Sequence, residues 1–262
     1  MASDFRADEF LDALVEGRQD LAVRVIQAGI DPNQVFASGD TPLTASALLG
    51  REEVMSALLH AGARVNDRTG SLGETALTLA ASAGQIGAVL LLLRDGATVG
   101  IANGVGRTPL HIACMFGYPD VVAALLNNGA DVDKIDIQGA TPLITAVSGT
   151  FFLPESALMS VRENNPNAVV DQAAVVSLLI QHGADLSAKA PNGIDALGIA
   201  VRLGDSKLVE LLKGSGTEVA KKSGCYVATY VYGTYDCPEL WVLRRWRDER
   251  LAESAQGRAC DC

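Results

Sequence analysis

Apolar residues return along this chain in blocks about one third of a hundred residues apart. Thr41-Pro42-Leu43, Thr75-Ala76-Leu77, Thr108-Pro109-Leu110 and Thr141-Pro142-Leu143 start at spacings of 34, 33 and 33 residues. A weaker copy, Asp195-Ala196-Leu197, follows 54 residues later, so one unit carries an insertion of about 21 residues. Nine residues into four of these blocks stands a glycine: Gly50, Gly84, Gly117 and Gly204. An aliphatic stretch comes next, at Val54–Leu59, Ala88–Leu93, Val121–Leu126, Val175–Ile180 and Leu208–Leu212. A Gly-Ala pair then closes most units, at Gly62-Ala63, Gly96-Ala97, Gly129-Ala130 and Gly183-Ala184. Ahead of the first block, Asp8–Asn33 repeats the second half of the pattern and ends in AGIDPN.

Each mark has a physical reading. A Thr hydroxyl caps free N–H groups at a helix start, and Pro suits the first helical position. The glycine reaches positive φ and ends that helix after two to three turns. Leu and Val at three- and four-residue spacing then mark a second amphipathic helix. One helix pair cannot bury its own apolar face, but stacked pairs share a core.

The pattern resembles the ankyrin repeat, whose period is about 33 residues and whose signature is T-P-L-H-x-A. The best copy is Thr108-Pro109-Leu110-His111-Ile112-Ala113, continued by Gly117, Val121-Val122, Leu125-Leu126 and Asn128-Gly129-Ala130-Asp131-Val132-Asp133. The resemblance covers roughly residues 6–220 and implies an all-α solenoid of about six helix-turn-helix units with hairpin fingers on one side. Two end units depart from it. The first lacks a Thr-Pro-Leu, and the last has Asp195-Ala196 for Thr-Pro and should be looser. His111 is the one histidine at its position; the other units have Thr44, Thr78 and Ile144, so a hydrogen bond from this side chain to a finger is not general.

The resemblance also implies a function. Ankyrin proteins carry no catalytic centre and bind partners, mostly proteins, with the fingers and inner helices. Counting from each Thr gives finger candidates Asp40, Leu72, Glu74, Val105, Arg107, Ile137, Gln138 and Ile194. The inner-helix candidates are Leu48, Leu49, Ser82, Met115, Phe116, Ser148, Arg202 and Leu203. The centre of this set is apolar: Leu49, Met115, Phe116 and Ile137. A surface Phe beside a Met is the type of anchor that dominates interface energy, and Phe116 occupies a position normally exposed in this fold. The competing reading is that such side chains fill space between units. Arg107 and Arg202 either select an acidic partner or belong to a solvated face.

The insertion runs from about Thr150 to Val170 and by phase lies between the two helices of the fifth unit, away from the fingers. It begins apolar, with Phe151, Phe152, Leu153 and Pro154, and ends polar, with Glu163, Asn164, Asn165, Pro166 and Asn167. It reads as a short extra helix folding its Phe pair onto the stack, or as a second docking site.

After Lys221-Lys222-Ser223-Gly224 the composition changes. Tyr226, Tyr230, Tyr232, Tyr235, Trp241 and Trp246 are four of the five tyrosines and both tryptophans. Pro238 and Glu239 suit a helix start, and Leu240, Leu243, Trp246 and Leu251 then recur on one side among Arg244, Arg245, Arg247 and Arg250. The segment resembles the CFI-box type of C-terminal segment found on otherwise unrelated bacterial proteins, through Cys225-Tyr226-Val227-Ala228-Thr229, Tyr232-Gly233, Pro238-Glu239 and Leu243-Arg244-Arg245-Trp246-Arg247-Asp248. That implies a bacterial source but no known activity. Three readings stand: an apolar cap on the last repeat, a recognition or processing tag, or a nucleophilic Cys225. A thiolate needs a base or a positive environment, and His60, His111 and His182 all sit in repeats.

Composition bounds what remains. With 21 basic and 31 acidic residues the net charge is −10, which argues against broad nucleic-acid binding and against anionic membrane surfaces. The longest aliphatic run, near Val89–Leu93, is far short of a bilayer span, and the acidic start MASDFRADEF lacks a signal peptide's pattern. Five cysteines, Cys114, Cys225, Cys237, Cys260 and Cys262, make no disulfide framework; a reducing cytoplasm fits them. Paired C-x2-C spacing for zinc is absent, and the glycines of Gly100–Gly106 lie in a finger rather than a phosphate-binding turn. The sequence therefore predicts a solenoid over residues 1–222 and an aromatic appendage over 223–262. It predicts a monomeric, cytoplasmic, non-enzymatic protein-binding module without cofactor or metal. The alternative is a processing or thiol-dependent activity at the Cys225 box.

Overall fold

In the computed structural model, which describes residues 2–152, 165, 168–190 and 192–214, the repeats form twelve helices in two stacked rows. The inner row holds α1 (Ala2–Val15), α3 (Pro42–Leu48), α5 (Ala76–Ser82), α7 (Pro109–Phe116), α9 (Pro142–Phe152) and α11 (Ala196–Leu203). The outer row holds α2 (Gln19–Gln27), α4 (Glu52–His60), α6 (Ile86–Arg94), α8 (Pro119–Asn127), α10 (Gln172–Gln181) and α12 (Ser206–Gly214). From α3 on, each inner helix packs on the next inner helix, and each outer helix from α2 packs on the next outer one. Residues 215–262, with the Cys225 box, lie outside the described residues, as do 153–164 of the insertion.

Local chemistry sets the helix starts. Thr41, Thr75, Thr108 and Thr141 each accept, on the hydroxyl oxygen, the N–H three residues on, at 3.2 to 3.5 Å. Asp195 does the same for Gly198 at 2.7 Å. Thr44 and His111 reciprocate by accepting the N–H of the capping residue, closing two capping boxes. At the other end of the inner helices Gly50, Gly84, Gly117 and Gly204 turn the chain with φ of 63°, 64°, 75° and 73°. The equivalent position in the fifth unit is Thr150. Without the left-handed residue α9 continues to Phe152, the longest of the Thr-capped helices, so the insertion starts from a helix that has not been stopped.

The core is one cluster running through the stack. Leu43, Leu77, Leu110, Leu143 and Leu197 hold the same inner-helix position, and Leu58, Leu92, Leu125, Leu179 and Leu212 the same outer-helix position; all are buried. Burying a side chain of this size stabilises by roughly 1.5–3 kcal/mol, but only where the neighbouring unit supplies the other half of the pocket.

The insertion returns across the end of the stack away from the fingers. The Asn165 amide donates to the carbonyls of Ala83 (3.3 Å) and Gly84 (2.9 Å), two units back. Asp171 N–H donates to Gly117 O at 2.9 Å. The Gln172 amide donates to Cys114 O at 2.7 Å and also to Ala146 O. These carbonyls stand where α5 and α7 end and along α9, and the returning limb adds side-chain and backbone donors to them.

Candidate partner-binding surface

The fingers precede the inner helices, and each is closed by its own backbone. The N–H five residues ahead of the capping residue donates to the carbonyl just before it. These bonds run from Phe36 to Asp40 (2.8 Å), Asn103 to Arg107 (2.9 Å), Asp136 to Ala140 (3.0 Å) and Ala190 to Ile194 (2.9 Å). The finger with one extra residue, which accounts for the single 34-residue spacing, is closed by a reciprocal pair between Thr69 and Glu74 at 2.8 and 2.9 Å.

Four successive fingers are also laced to one another. Gly70 N–H donates to Gly39 O (2.9 Å), Gly104 N–H to Leu72 O (2.6 Å) and Ile137 N–H to Val105 O (3.2 Å). The approach is close: a Cβ on Gly106, at φ 76°, would lie 2.7 Å from the Ile137 nitrogen. A second set of struts joins the loops after the outer helices. Asn33 accepts from Arg64 N–H at 2.8 Å and donates to Gly62 O at 3.1 Å. Asn66 makes the same two bonds to Thr98 N–H and Gly96 O. Asp133 accepts from Asp185 N–H at 2.8 Å. Gly100 occupies this position between Asn66 and Asp133 and has no side chain to make the strut. Sequence reasoning missed these residues, although an Asn or Asp four places after the closing glycine was there to be read.

The boundary between the fourth and fifth units gathers three of the expected binding residues, Arg107, Met115 and Gln138. Arg107 donates from Nε to Asp136 Oδ2 at 3.3 Å, from Nη2 to Gln138 Oε1 at 3.5 Å, and from Nη1 to Met115 Sδ at 3.6 Å. Asp136 is buried, its side chain 1% exposed against 19% for Arg107. Its Oδ1 also accepts the N–H groups of Gln138 and Ala140, both at 2.9 Å. Asn103 holds the preceding finger in the same way, through Val105 N–H (3.2 Å) and Arg107 N–H (3.0 Å). Asp136, absent from the sequence-derived set, is thus the anchor that turns Arg107 inward across the unit boundary.

His111 links the same two units. Its Nδ1 accepts from Thr108 N–H (3.2 Å) and the Thr108 hydroxyl (2.8 Å), so its Nε2–H donates to Ala140 O (3.1 Å). Burial lowers its pKa below the usual histidine value of 6.5; the Ala140 bond and the Asp136 charge oppose that, and Arg107 reinforces it. The imidazole is neutral and its two nitrogens are both occupied.

Four exposed apolar side chains lie on or beside the fingers, while Val15, Leu90, Val169, Val170 and Val201 are exposed elsewhere on the described chain. Ile137 is 70% exposed, Val35 67%, Ile135 59% and Leu72 48%. Asp40, Glu74, Val105 and Ile194 are half-buried beside them. On the inner helices Leu48 is just exposed, while Leu49, Met115, Arg202 and Leu203 are half-buried. Phe116, expected in the open, is half-buried like Met115; its ring packs against the core and stacks on Tyr118, with ring centroids 6.1 Å apart and an interplanar angle of 9°. The cause is Tyr118, whose ring fills the space left by Gly84, where a Cβ would stand 2.9 Å from it. Burial pushes the Tyr118 phenol up to about 12. Ser148, also an inner-helix candidate, is buried and donates to Ile144 O at 2.7 Å.

Cys114 is buried and desolvation raises its thiol pKa, so it is held as the thiol. Among the described residues no group of three or more His, Cys, Asp or Glu side chains is placed to hold a metal ion. None of their helices is long and apolar enough to cross a membrane.

Residues 10–103 match the family model of ankyrin repeats in three copies, and residues 105–137 match the model of a single ankyrin repeat. No curated protein matches the chain. The same caps, fingers and paired helices continue past residue 137 through α12, and over its described residues the chain is an all-α ankyrin-repeat solenoid.

Proposed function

We propose that this chain is a non-enzymatic protein-interaction module that holds a partner protein along its fingers and the adjoining inner-helix face. Ankyrin repeats are in general protein–protein interaction modules. The observation that carries the reading is the row of exposed aliphatic side chains, Leu72 and Ile137 with Val35 and Ile135, on fingers bonded to one another through their backbones. A flexible loop would lose entropy on binding, whereas these fingers are already ordered, so more of the gain from covering each side chain survives as affinity. Asp40, Glu74 and Gln138 form a polar rim, Met115 lines the junction, and Arg107 keeps the fourth finger in register. Leu49, Phe116 and Arg202 lie behind the row and shape the floor of the surface. The acidic charge favours a protein over a nucleic acid or an anionic membrane. The module works as a cytoplasmic monomer and needs no cofactor.

The test is capture of partners by the full chain, read by mass spectrometry. Leu72→Asp with Ile137→Asp should remove the specific partner while far-ultraviolet circular dichroism stays unchanged, because both side chains face solvent. Phe116→Leu, which keeps the packing, should leave capture intact. Equal capture by the wild type and the double finger variant would reject the finger row as the binding surface.

A further inference from the structure

Each unit covers the flank of the one before it, so the last unit of an array has a flank with no successor. The first unit meets the mirror problem mainly with polar residues: α1 buries Phe10, Ala13 and Leu14 and presents Asp8 and Asp12 to solvent, with Val15 exposed at its last position. The last unit does not. Six residues after the capping residue, Ala47, Ala81, Cys114 and Val147 are each 0% exposed, and Val201 is 44% exposed. Fourteen residues after it, Met55, Val89 and Val122 are fully buried, as is Val176 at the matching place on α10; Val209 is only partly so. Three residues after it stand the buried Thr44, Thr78, His111 and Ile144, but Gly198 in the last unit. The flank of α11 and α12 therefore carries an apolar strip, Val201 to Val209, and the space at Gly198 is taken by the Ile194 side chain, which a Cβ there would approach to 2.8 Å.

We infer that residues 225–251 of this same chain cover the strip. The chain leaves the last unit at Gly214, at the end of α12, and 48 residues follow. The ten residues from Ser215 to Gly224 span at most about 33 Å when extended, several times the width of a helix, so the segment reaches the flank. Its content suits a cover: Tyr226 to Trp246 holds six aromatic residues, and Leu240, Leu243 and Trp246 recur at helical spacing. Charge selects it over a second copy of the chain. Residues 215–262 contain seven basic and seven acidic residues, so the whole net charge of −10 lies on residues 1–214. Two arrays stacked end to end bring like charge together, whereas the neutral segment brings Arg244, Arg245, Arg247 and Arg250 to an acidic body.

Both tryptophans lie in this segment, so tryptophan fluorescence, excited beyond the tyrosine absorption band, reports on it alone. Acrylamide should quench it less than it quenches a free tryptophan derivative, and Val201→Glu, a change at a side chain already part-exposed, should remove that protection. Reciprocally, Leu243→Ser with Trp246→Ser in the full chain should speed hydrogen exchange over Leu208–Leu212 about tenfold, the factor that uncovering one aliphatic side chain supplies, with α7 and α8 unchanged. Equal quenching of wild type and Val201→Glu, together with unchanged exchange in the segment variant, overturns the inference. So does a dimer by light scattering that survives the Leu243→Ser/Trp246→Ser change and dissociates on Val201→Glu, which would assign the strip to a second copy.

Discussion

The fourth and sixth units are built on one template and differ in what surrounds them. In the fourth, Thr108 and His111 cap each other, His111 bonds to Ala140, and Arg107 reaches Asp136 and Gln138. Its local contacts and its contacts to the fifth unit are made by the same side chains. In the sixth, Asp195 caps Gly198, but a glycine cannot reciprocate, and Val201 faces outward where Cys114 is enclosed. The difference teaches that the repeat signature specifies a helix pair, whereas the stability of that pair depends on the units beside it.

The sharpest way to break the comparison is to remove the same leucine from each. Leu125→Ala in α8 should cost about 2–5 kcal/mol, because α6 and α10 enclose the site on both sides, and should destabilise the middle units together. Leu212→Ala in α12 should cost less and act on the last unit alone. Urea unfolding and hydrogen exchange of the two variants separate these outcomes. An equal, global loss from both would mean that the array unfolds as one block and that position within it is irrelevant.

His111 gives a smaller effect with a sign that can be worked out. Its pKa is lowered in the folded protein, chiefly by burial, so below pH 6.5 the unfolded chain binds the additional proton first. Stability contributed by the neutral imidazole is therefore complete above the unfolded value of 6.5 and is lost as pH falls through it. His111→Ala should cost about 1–3 kcal/mol at neutral pH by leaving the buried Thr108 N–H without its partner and removing one of the two bonds that Ala140 O accepts. The cost should shrink toward acid, and the variant should lose this part of the pH slope. Urea midpoints at two pH values on either side of 6.5 check it; a cost that grew on acidification would show the ring to be charged in the fold.

Much of this was legible in the sequence, because the period, the Thr caps and the stopping glycines act within a few residues of one another. The fold, the unit count and the place of the insertion follow from that local chemistry. The surface was less legible. Phe116 holds a position that faces outward by period, and only the contact with Tyr118 draws it in. Arg107 reads as a free cation until Asp136, 29 residues away, is brought beneath it. The Asn33, Asn66 and Asp133 struts act across units in the same way. Contacts between successive units depend on a partner whose identity the repeat pattern does not fix, so the pattern predicts where such residues stand but not which way they turn.

The smallest effect separates the caps themselves. Asp195→Ala should cost about 0.5–1 kcal/mol, the lower range for a helix cap, because the carboxylate is half-exposed and makes one cap bond to a backbone N–H, from Gly198. The loss should be confined to α11 and α12. Thr108→Ala should cost more, since its hydroxyl is buried and also bonds the His111 ring. Part of the Asp195 contribution is the charge at the positive end of a helix, which salt screens. Asp195→Asn should retain most of the stability at high salt and less at low salt. If Asp195→Ala instead exceeds Thr108→Ala, the last unit depends on its own cap more than the fourth does, and nearest-neighbour packing would no longer account for the contrast between them.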